Sequence, residues 1–358
     1  MVKKSHKHLK FPSELRLDLV SKDWVLIATG RARRPETFKQ ERRKAEEGSQ
    51  KACPFCNIET QEPLTVIFSK GKKIFPPAGI IKNWTPLEIR KFLTGWTTIS
   101  IPNKFPAVIP HSKLDKKTEG NLYQTINAVG FHEVVITRDH KKQLAQLSVK
   151  QIKEVIDVYQ ERYLDLMKDK FVNYVSIFYN HGVESGATIA HPHSQIITTP
   201  LIDPDLRNAL SNAENYFRKN KKCIYCQMNN LEKKAKKRIV FENKGFRVVC
   251  PFASKSAFEV IISPKKHLPY FERITEKEKR QLAEAFKVAL SKLYKALNDP
   301  AYNFYLHASP CDGKKYPSYH WHWTILPKTS TWAGFEIGTR MEISTIEPEK
   351  AAEYLRKQ

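Results

Sequence analysis

The 358-residue sequence predicts an α+β fold built as two copies of one unit, each a mainly antiparallel sheet with helices packed on it. Three observations predict it. Local motifs recur in the same order in both halves, β-like runs outnumber helical ones, and consecutive β-like runs are joined mostly by loops. The copies divide the chain near residue 205, giving an N-terminal unit over 1–205 and a C-terminal unit over 206–358.

The elements follow in parallel. The first half holds CPFC at 53–56, FHEVVIT at 131–137, a helix, VNYVSIFYN at 172–180 and HPHSQIIT at 191–198. The second holds CIYC at 223–226, AFEVIIS at 257–263, a helix, AYNFYLHAS at 301–309 and HWHWTILP at 320–327. The runs at 131–137 and 257–263 are short, rich in Val and Ile, and followed by a basic turn ending in a histidine, His140 and His267. Ser148 with Gln151, and Thr275 with Glu278, have the spacing of a capping box and start the two helices. Behind them Ile152, Ile156, Tyr159, Tyr163 and Leu166, then Leu282, Phe286, Ala289, Leu293 and Leu297, keep helical apolar spacing. A linker is expected near 200–215, where TTPLIDPD has two prolines and two aspartates, and 215–237 reads as solvent-facing.

Composition bounds the function. Hydrophobic residues are 41% and charged residues 27%, ordinary for a soluble globular chain. No apolar run approaches the roughly 18 residues of a membrane span. The start, MVKKSHKHLK, has charge but no apolar stretch behind it, so a cytoplasmic location is expected. The net charge of 61 − 37 = +24 favours anionic partners. The lysines are spread along the whole chain, so charge by itself assigns nothing.

Four of the six cysteines form two CxxC pairs, Cys53/Cys56 and Cys223/Cys226. In a reducing compartment this spacing points to metal. Cys56 and Cys223 have 166 residues between them, too many for a zinc-ribbon loop, so two separate sites completed by histidines fit the repeat better. The histidines available are His132, His140, His181 and His191 in the first half, and His267, His307, His320 and His322 in the second. His140 is read as a turn cap. Cys250 and Cys311 are read as small buried hydrophobes.

On a strand, residues i and i+2 share a face, so His191, His193 and Gln195 line up. One histidine can bind metal while the next meets substrate. A neutral imidazole is a good nucleophile towards phosphorus, and Gln195 is an uncharged donor for a phosphoryl oxygen.

With these residues placed, NHGVESGATIAHPHSQIITTP (180–200) closely resembles the active-site segment of the galactose-1-phosphate uridylyltransferase family, in the histidine-triad superfamily. The resemblance runs over nearly the whole chain. It implies two histidine-triad-like repeats, a nucleophile at His193 and a transferase rather than a hydrolase, since hydrolases of the superfamily have a third histidine where Gln195 stands. It implies phosphate contacts from Arg31 and Arg34 in RARRP, base and ribose contacts from Asn103 and Phe105 in IPNKFPAV, and polar contacts from Asn180 and Thr188. It implies a hexose-binding strand, GFEIGT, with Phe335 and Glu336. It further implies structural zinc, with Cys53, Cys56, His132 and His191 as one ligand set and Cys223, Cys226, His267 and His320 as the second. Relatives with a different second site use the equivalents of His307, His320 and His322. The expected partners are a nucleoside diphosphate sugar and a hexose 1-phosphate, and the expected assembly is a homodimer.

The chain departs from the best-known uridylyltransferases by lacking a lysine just before G-[Y/F]-E. It shares that feature, GFEIGT and a second CxxC with relatives that use ADP-glucose and phosphate. UDP-glucose:hexose-1-phosphate uridylyltransferase, with galactose 1-phosphate as acceptor, is therefore set against an ADP-glucose phosphorylase-like adenylyltransferase. A basic zinc protein that binds nucleic acid is the distant alternative. It leaves HPHSQ and RARRP unexplained.

Overall fold

The computed structural model describes residues 13–29, 33–39, 41, 50–58, 66–69, 71–74 and 95–358. The N-terminal half begins with β1 (Glu14–Leu17) and β2 (Trp24–Ile27), then β3 (Val66–Ser69), β4 (Lys72–Ile74) and β5 (Thr98–Pro102). A small hairpin follows, β6 (Lys116–Glu119) and β7 (Tyr123–Ile126). Next come β8 (His132–Thr137), α1 (Val149–Leu166), β9 (Tyr174–His181) and β10 (His193–Thr199). Two helices, α2 (Pro204–Asn220) and α3 (Ile224–Ala235), lead into β11 (Ile239–Glu242), β12 (Phe246–Val249) and β13 (Val260–Pro264). The chain ends with α4 (Glu276–Leu297), β14 (Tyr302–His307), β15 (His322–Pro327), α5 (Gly334–Thr339), β16 (Ile343–Ser344) and α6 (Pro348–Arg356).

Eleven of these strands form one sheet, in the order β11-β12-β13-β15-β14-β9-β10-β8-β5-β3-β4. Its named pairs are all antiparallel, as the loop-joined runs predict. The order shows the repeat directly: β8, β9 and β10 in one half match β13, β14 and β15 in the other. The halves meet where β9 pairs with β14, with Tyr179 opposite Phe304 and Asn180 opposite Asn303. The two halves are thus continuous through one sheet. Tyr179 and Phe304 stack across the joint at 5.0 Å.

Both predicted capping boxes form. Ser148 accepts from Gln151 N at the start of α1, and Thr275 from Glu278 N at the start of α4. The two helices pack on each other and on one face of the sheet. Tyr159 of α1 and Phe286 of α4 both meet Trp323 of β15, at 5.7 and 5.2 Å. One hydrophobic core therefore spans both halves.

The expected linker is different. The two-proline, two-aspartate stretch opens a helix: Asp203 accepts from Leu206 N and Pro204 takes the first helical position, where a missing N–H costs nothing. The stretch expected to face solvent also buries side chains, Cys223, Ile224 and Tyr225 among them. A separate three-stranded sheet, β1-β2-β16, ties the two ends of the described chain together.

One buried ion pair links this frame to the site. Glu133 of β8 and Arg162 of α1 are 3% and 6% exposed, and Arg162 Nε and Nη2 both donate to the carboxylate at 2.7 Å. Ser100 Oγ adds a third bond at 2.9 Å. Removing one partner leaves a buried charge alone. Arg162→Leu is therefore expected to lower stability by about 3–5 kcal/mol, while Glu133→Leu/Arg162→Leu recovers much of the loss. Urea denaturation midpoints of the three proteins check this.

Candidate functional site

The site is built on β10, whose alternation divides it cleanly. Ser194, Ile196 and Thr198 are buried on the helix side, and His193, Gln195 and Ile197 face the other way, partly exposed. The Tyr159 hydroxyl, itself buried, hydrogen-bonds to Ser194 Oγ and fixes which face points where.

His193 Nδ1 lies 2.9 Å from the His191 carbonyl oxygen. A carbonyl only accepts, so Nδ1 carries the proton and Nε2 keeps its lone pair. Burial pushes the His193 pKa below its ordinary value, against the opposing pull of that bond. The ring is thus neutral near neutral pH, with the lone pair on Nε2. The Phe55 ring packs edge-on against it at 5.0 Å.

The first CxxC group is Cys53, Cys56, His140 and His191. Both thiol sulfurs lie 3.5 Å from His191 Nδ1. His140 Nδ1 is 3.2 Å from Cys56 Sγ and 3.2 Å from His191 Nδ1. A tetrahedral ion with the usual zinc bond lengths has ligand–ligand edges of about 3.3–3.8 Å, so four donors at this spacing could hold one. His191 Nε2 is anchored 2.7 Å from the Thr137 carbonyl, the outer bond that orients a metal-binding imidazole.

His132, expected as the fourth ligand, is elsewhere. Its Nδ1 accepts the Ala107 N–H at 3.0 Å, and its Nε2 lies 2.8 Å from Gln195 Oε1, so both ring nitrogens are engaged away from the cysteines. His140, read as a turn cap, is the fourth member of the Cys53, Cys56 and His191 group. The repeat carried the signal for it, since His140 and His267 end the same basic turn.

The second group is Cys223, Cys226, His267 and His320. Cys226 Sγ is 3.5 Å from His267 Nδ1 and 3.7 Å from His320 Nδ1. The far nitrogens of these histidines face the Pro317 and Pro264 carbonyls at 2.7 and 3.0 Å. The geometry brings together the four residues expected from the sequence and leaves His307 and His322 out.

Other expected contacts are placed unevenly. Arg31 lies outside the described residues. Arg34 is exposed just before a short 3-10 turn. Asn103 reaches the same corner as Gln195, with its Nδ2 3.0 Å from His132 Nε2, and Phe105 is 81% exposed beside it. Asn180 Oδ1 accepts from Asn303 Nδ2 at 2.8 Å, and the same Asn303 amide donates to the Ser185 carbonyl at 2.9 Å. Thr188 is exposed on the loop before His191. GFEIGT is a helix, α5, rather than the expected strand. Glu336 folds back to accept the Ala333 N–H at 3.1 Å, which caps the turn. Phe335 stays half exposed on it.

Sequence reasoning missed Phe55, Tyr159 and Asn303. Two had positional signals, Phe55 inside CPFC and Tyr159 on the apolar stripe of α1, while Asn303 meets Asn180 only through the β9–β14 pairing.

The second half has a counterpart of His193 in different surroundings. His322 Nδ1 faces the His320 carbonyl at 3.3 Å, as His193 faces His191. But its ring is stacked on His307 at 4.5 Å and packed against Tyr225 at 5.7 Å. Burial pushes its pKa down to about 4. Thr324 stands where the first half has Gln195.

Comparison with known proteins matches both halves. Residues 96–203 match the family described as galactose-1-phosphate uridyl transferase, N-terminal domain, and residues 209–357 match its C-terminal domain. An ADP-glucose phosphorylase of Arabidopsis thaliana is 31% identical, covering 96% of this chain and 92% of its own. A galactose-1-phosphate uridylyltransferase of Thermotoga maritima is 24% identical, covering 96% and 98%. A crystal structure of an Arabidopsis thaliana ADP-glucose phosphorylase with bound ADP-glucose superposes with a TM-score of 0.76 at 28% identity, over 97% of this chain and 99% of that one. The duplicated sheet, the HPHSQ strand and matches across both domains make this chain a nucleotidyltransferase of the galactose-1-phosphate uridylyltransferase family.

Proposed function

We propose that the enzyme transfers a nucleotide from a nucleoside diphosphate hexose to an anionic acceptor through a covalent nucleotidyl-His193. The observation that carries this reading is the His193 ring: neutral, with Nδ1 held by the His191 carbonyl and Nε2 left as the lone-pair atom beside Gln195. Nε2 attacks the α-phosphorus, the bond from that phosphorus to the bridging oxygen breaks, and hexose 1-phosphate leaves with the electron pair. A phosphate oxygen of the acceptor then attacks the same phosphorus, and the bond to Nε2 breaks. The Gln195 amide donates to a non-bridging oxygen as charge grows there. Asn180 is the further polar contact to the phosphates, and Arg31 and Arg34 offer planar forks suited to them.

The first reading of the donor and acceptor is UDP-glucose and galactose 1-phosphate, supported by the family matches over both halves. ADP-glucose with phosphate is the second, favoured by the 31% identity to an ADP-glucose phosphorylase over nearly the full length of both chains. The two CxxC groups are read as zinc sites, one ion each. With four protein donors apiece they leave no open position, so the ion's contribution is to hold His191 and its neighbours in place. Reduced thiols at both sites suit a cytoplasmic setting. We also read the chain as a homodimer, supported by Leu122 and Tyr123 of the β6–β7 hairpin, which are 79% and 72% exposed and offer apolar surface a second copy would cover.

Four outcomes are expected. Incubation with a nucleotide sugar labelled at the α-phosphate puts acid-labile label on the protein, and His193→Ala takes none; label that survives this substitution would sink the mechanism. Turnover of His193→Ala falls by on the order of 10⁴-fold or more, and that of Gln195→Ala by about 10²–10³-fold. In an exchange assay, UDP-glucose with galactose 1-phosphate is compared with ADP-glucose and phosphate; exchange with the adenine donor alone would replace the first reading by the second. Elemental analysis finds two zinc ions per chain in the wild type and in His132→Ala, but one in His140→Ala. Loss of zinc from His132→Ala instead would overturn the ligand assignment.

A further inference from the structure

We propose that His132 is a positioning residue that sets which end of the Gln195 amide faces the reacting phosphate. The inference rests on the reading of His193 as nucleophile and adds a function for a histidine that the metal sites leave out.

The hydrogen bonds decide the arrangement. The Ala107 N–H donates to His132 Nδ1 at 3.0 Å, and a backbone amide can only donate. Nδ1 therefore holds the lone pair, and in the neutral ring Nε2 carries the proton. That proton needs an acceptor. Asn103 Oδ1 is taken by the Phe105 N–H at 2.9 Å, and Asn103 meets His132 with its NH2 end, which has no lone pair for that proton, so the 3.0 Å approach to Nε2 is a contact of two donors and not a hydrogen bond. Gln195 Oε1, 2.8 Å from Nε2, is the acceptor that fits. An amide's oxygen and nitrogen are told apart by their partners. With Oε1 claimed by His132, the Gln195 NH2 is left for the face it shares with His193.

The consequence is chemical. An NH2 end donates to a phosphoryl oxygen as negative charge builds on it. The reversed amide would turn a carbonyl oxygen on that anion, replacing attraction by repulsion. His132 selects the productive orientation without touching substrate. It also joins the 103–107 segment, where the nucleoside contacts are expected, to the group that holds the phosphate. The burial of His132 on the central strand β8 keeps water from competing for the Gln195 oxygen.

The test is a kinetic cycle on the zinc-loaded protein. His132→Phe keeps the ring's bulk and removes the proton. It is expected to lower kcat by about 10–100-fold, a share of what one lost donor costs, with KM within about threefold and zinc content unchanged. His132→Gln, which has an amide proton to offer, recovers part of the loss. In a Gln195→Ala background, His132→Phe is expected to have no further effect on kcat. An undiminished loss in that background, or none in the wild-type background, would overturn the proposal. A second readout does not depend on activity. Imidazole ¹⁵N shifts should show His132 protonated at Nε2, with the signal moving in Gln195→Ala. A His132 protonated at Nδ1 rules the proposal out. If the wild type takes no label at His193, the nucleophile reading fails by itself, while the ¹⁵N spectrum still decides the geometry.

Discussion

The bond from His193 Nδ1 to the His191 carbonyl is the contact on which the rest of the site depends. It joins the first residue of β10 to the residue two before it, yet it transmits order from the buried CxxC group to the His193 ring. His191 is held on both sides: Nδ1 sits among the sulfurs of Cys53 and Cys56, and Nε2 faces the Thr137 carbonyl. Its backbone is thereby fixed, and so is the carbonyl that dictates the His193 tautomer. Phe55, between the two cysteines, closes the loop by packing on the His193 ring. A free imidazole would sample both tautomers and many orientations. Here it is presented with the correct nitrogen already unprotonated, which is preorganisation in the sense that no rearrangement is left for the moment of reaction.

The facing of β10 needs equal support, since a slip of one residue would bury His193 and expose Ser194. The Tyr159 bond to Ser194 and the Glu133–Arg162 pair hold the strand and its neighbour β8 to α1 from the far side. Gly130 lets the start of β8 approach closely: a Cβ there would lie 2.2 Å from the Thr198 carbonyl oxygen of β10. Polar bonds on the helix face and the CxxC group on the other thus clamp the strand between them.

Much of this was legible in the sequence because the repeat wrote it twice. The capping boxes and the paired β-like runs follow from local spacing that both copies share, and the family resemblance named the four residues of the second CxxC group. The choice between His132 and His140 was not settled by motif likeness. Both histidines are near the same strand in sequence, and the resemblance favoured the one next to a glutamate. Internal symmetry favours His140, because His267 ends the equivalent turn and stands beside Cys226 in the second CxxC group. What stayed hidden was long-range: Asn303 is 123 residues from the Asn180 it holds, and only the β9–β14 joint brings them together. GFEIGT was misread for a different reason. Six residues with two glycines have little periodicity of their own, and the cap made by Glu336 decides for a helix.

The same symmetry shows how the two halves differ around the paired histidines. Both halves place a histidine two residues after a metal-type histidine and turn its Nδ1 to that residue's carbonyl. Both place the aromatic residue of a CxxC pair against it, Phe55 on His193 and Tyr225 on His322. In the first half the face beyond the ring stays partly open and carries Gln195. In the second His307 stacks on the ring and Thr324 is buried. Lys255 adds to the closure, bridging Asp23 of the N-terminal sheet region and Glu342 beside β16 at 3.0 and 3.7 Å. A charge held there raises the electrostatic cost of a second cation on His307, whose pKa is pushed well down by burial, by His322 and by that lysine. The second copy keeps the backbone arrangement of His193 and fills the space beside the ring with His307. The C-terminal half in turn contributes Asn303 to the half that carries Gln195.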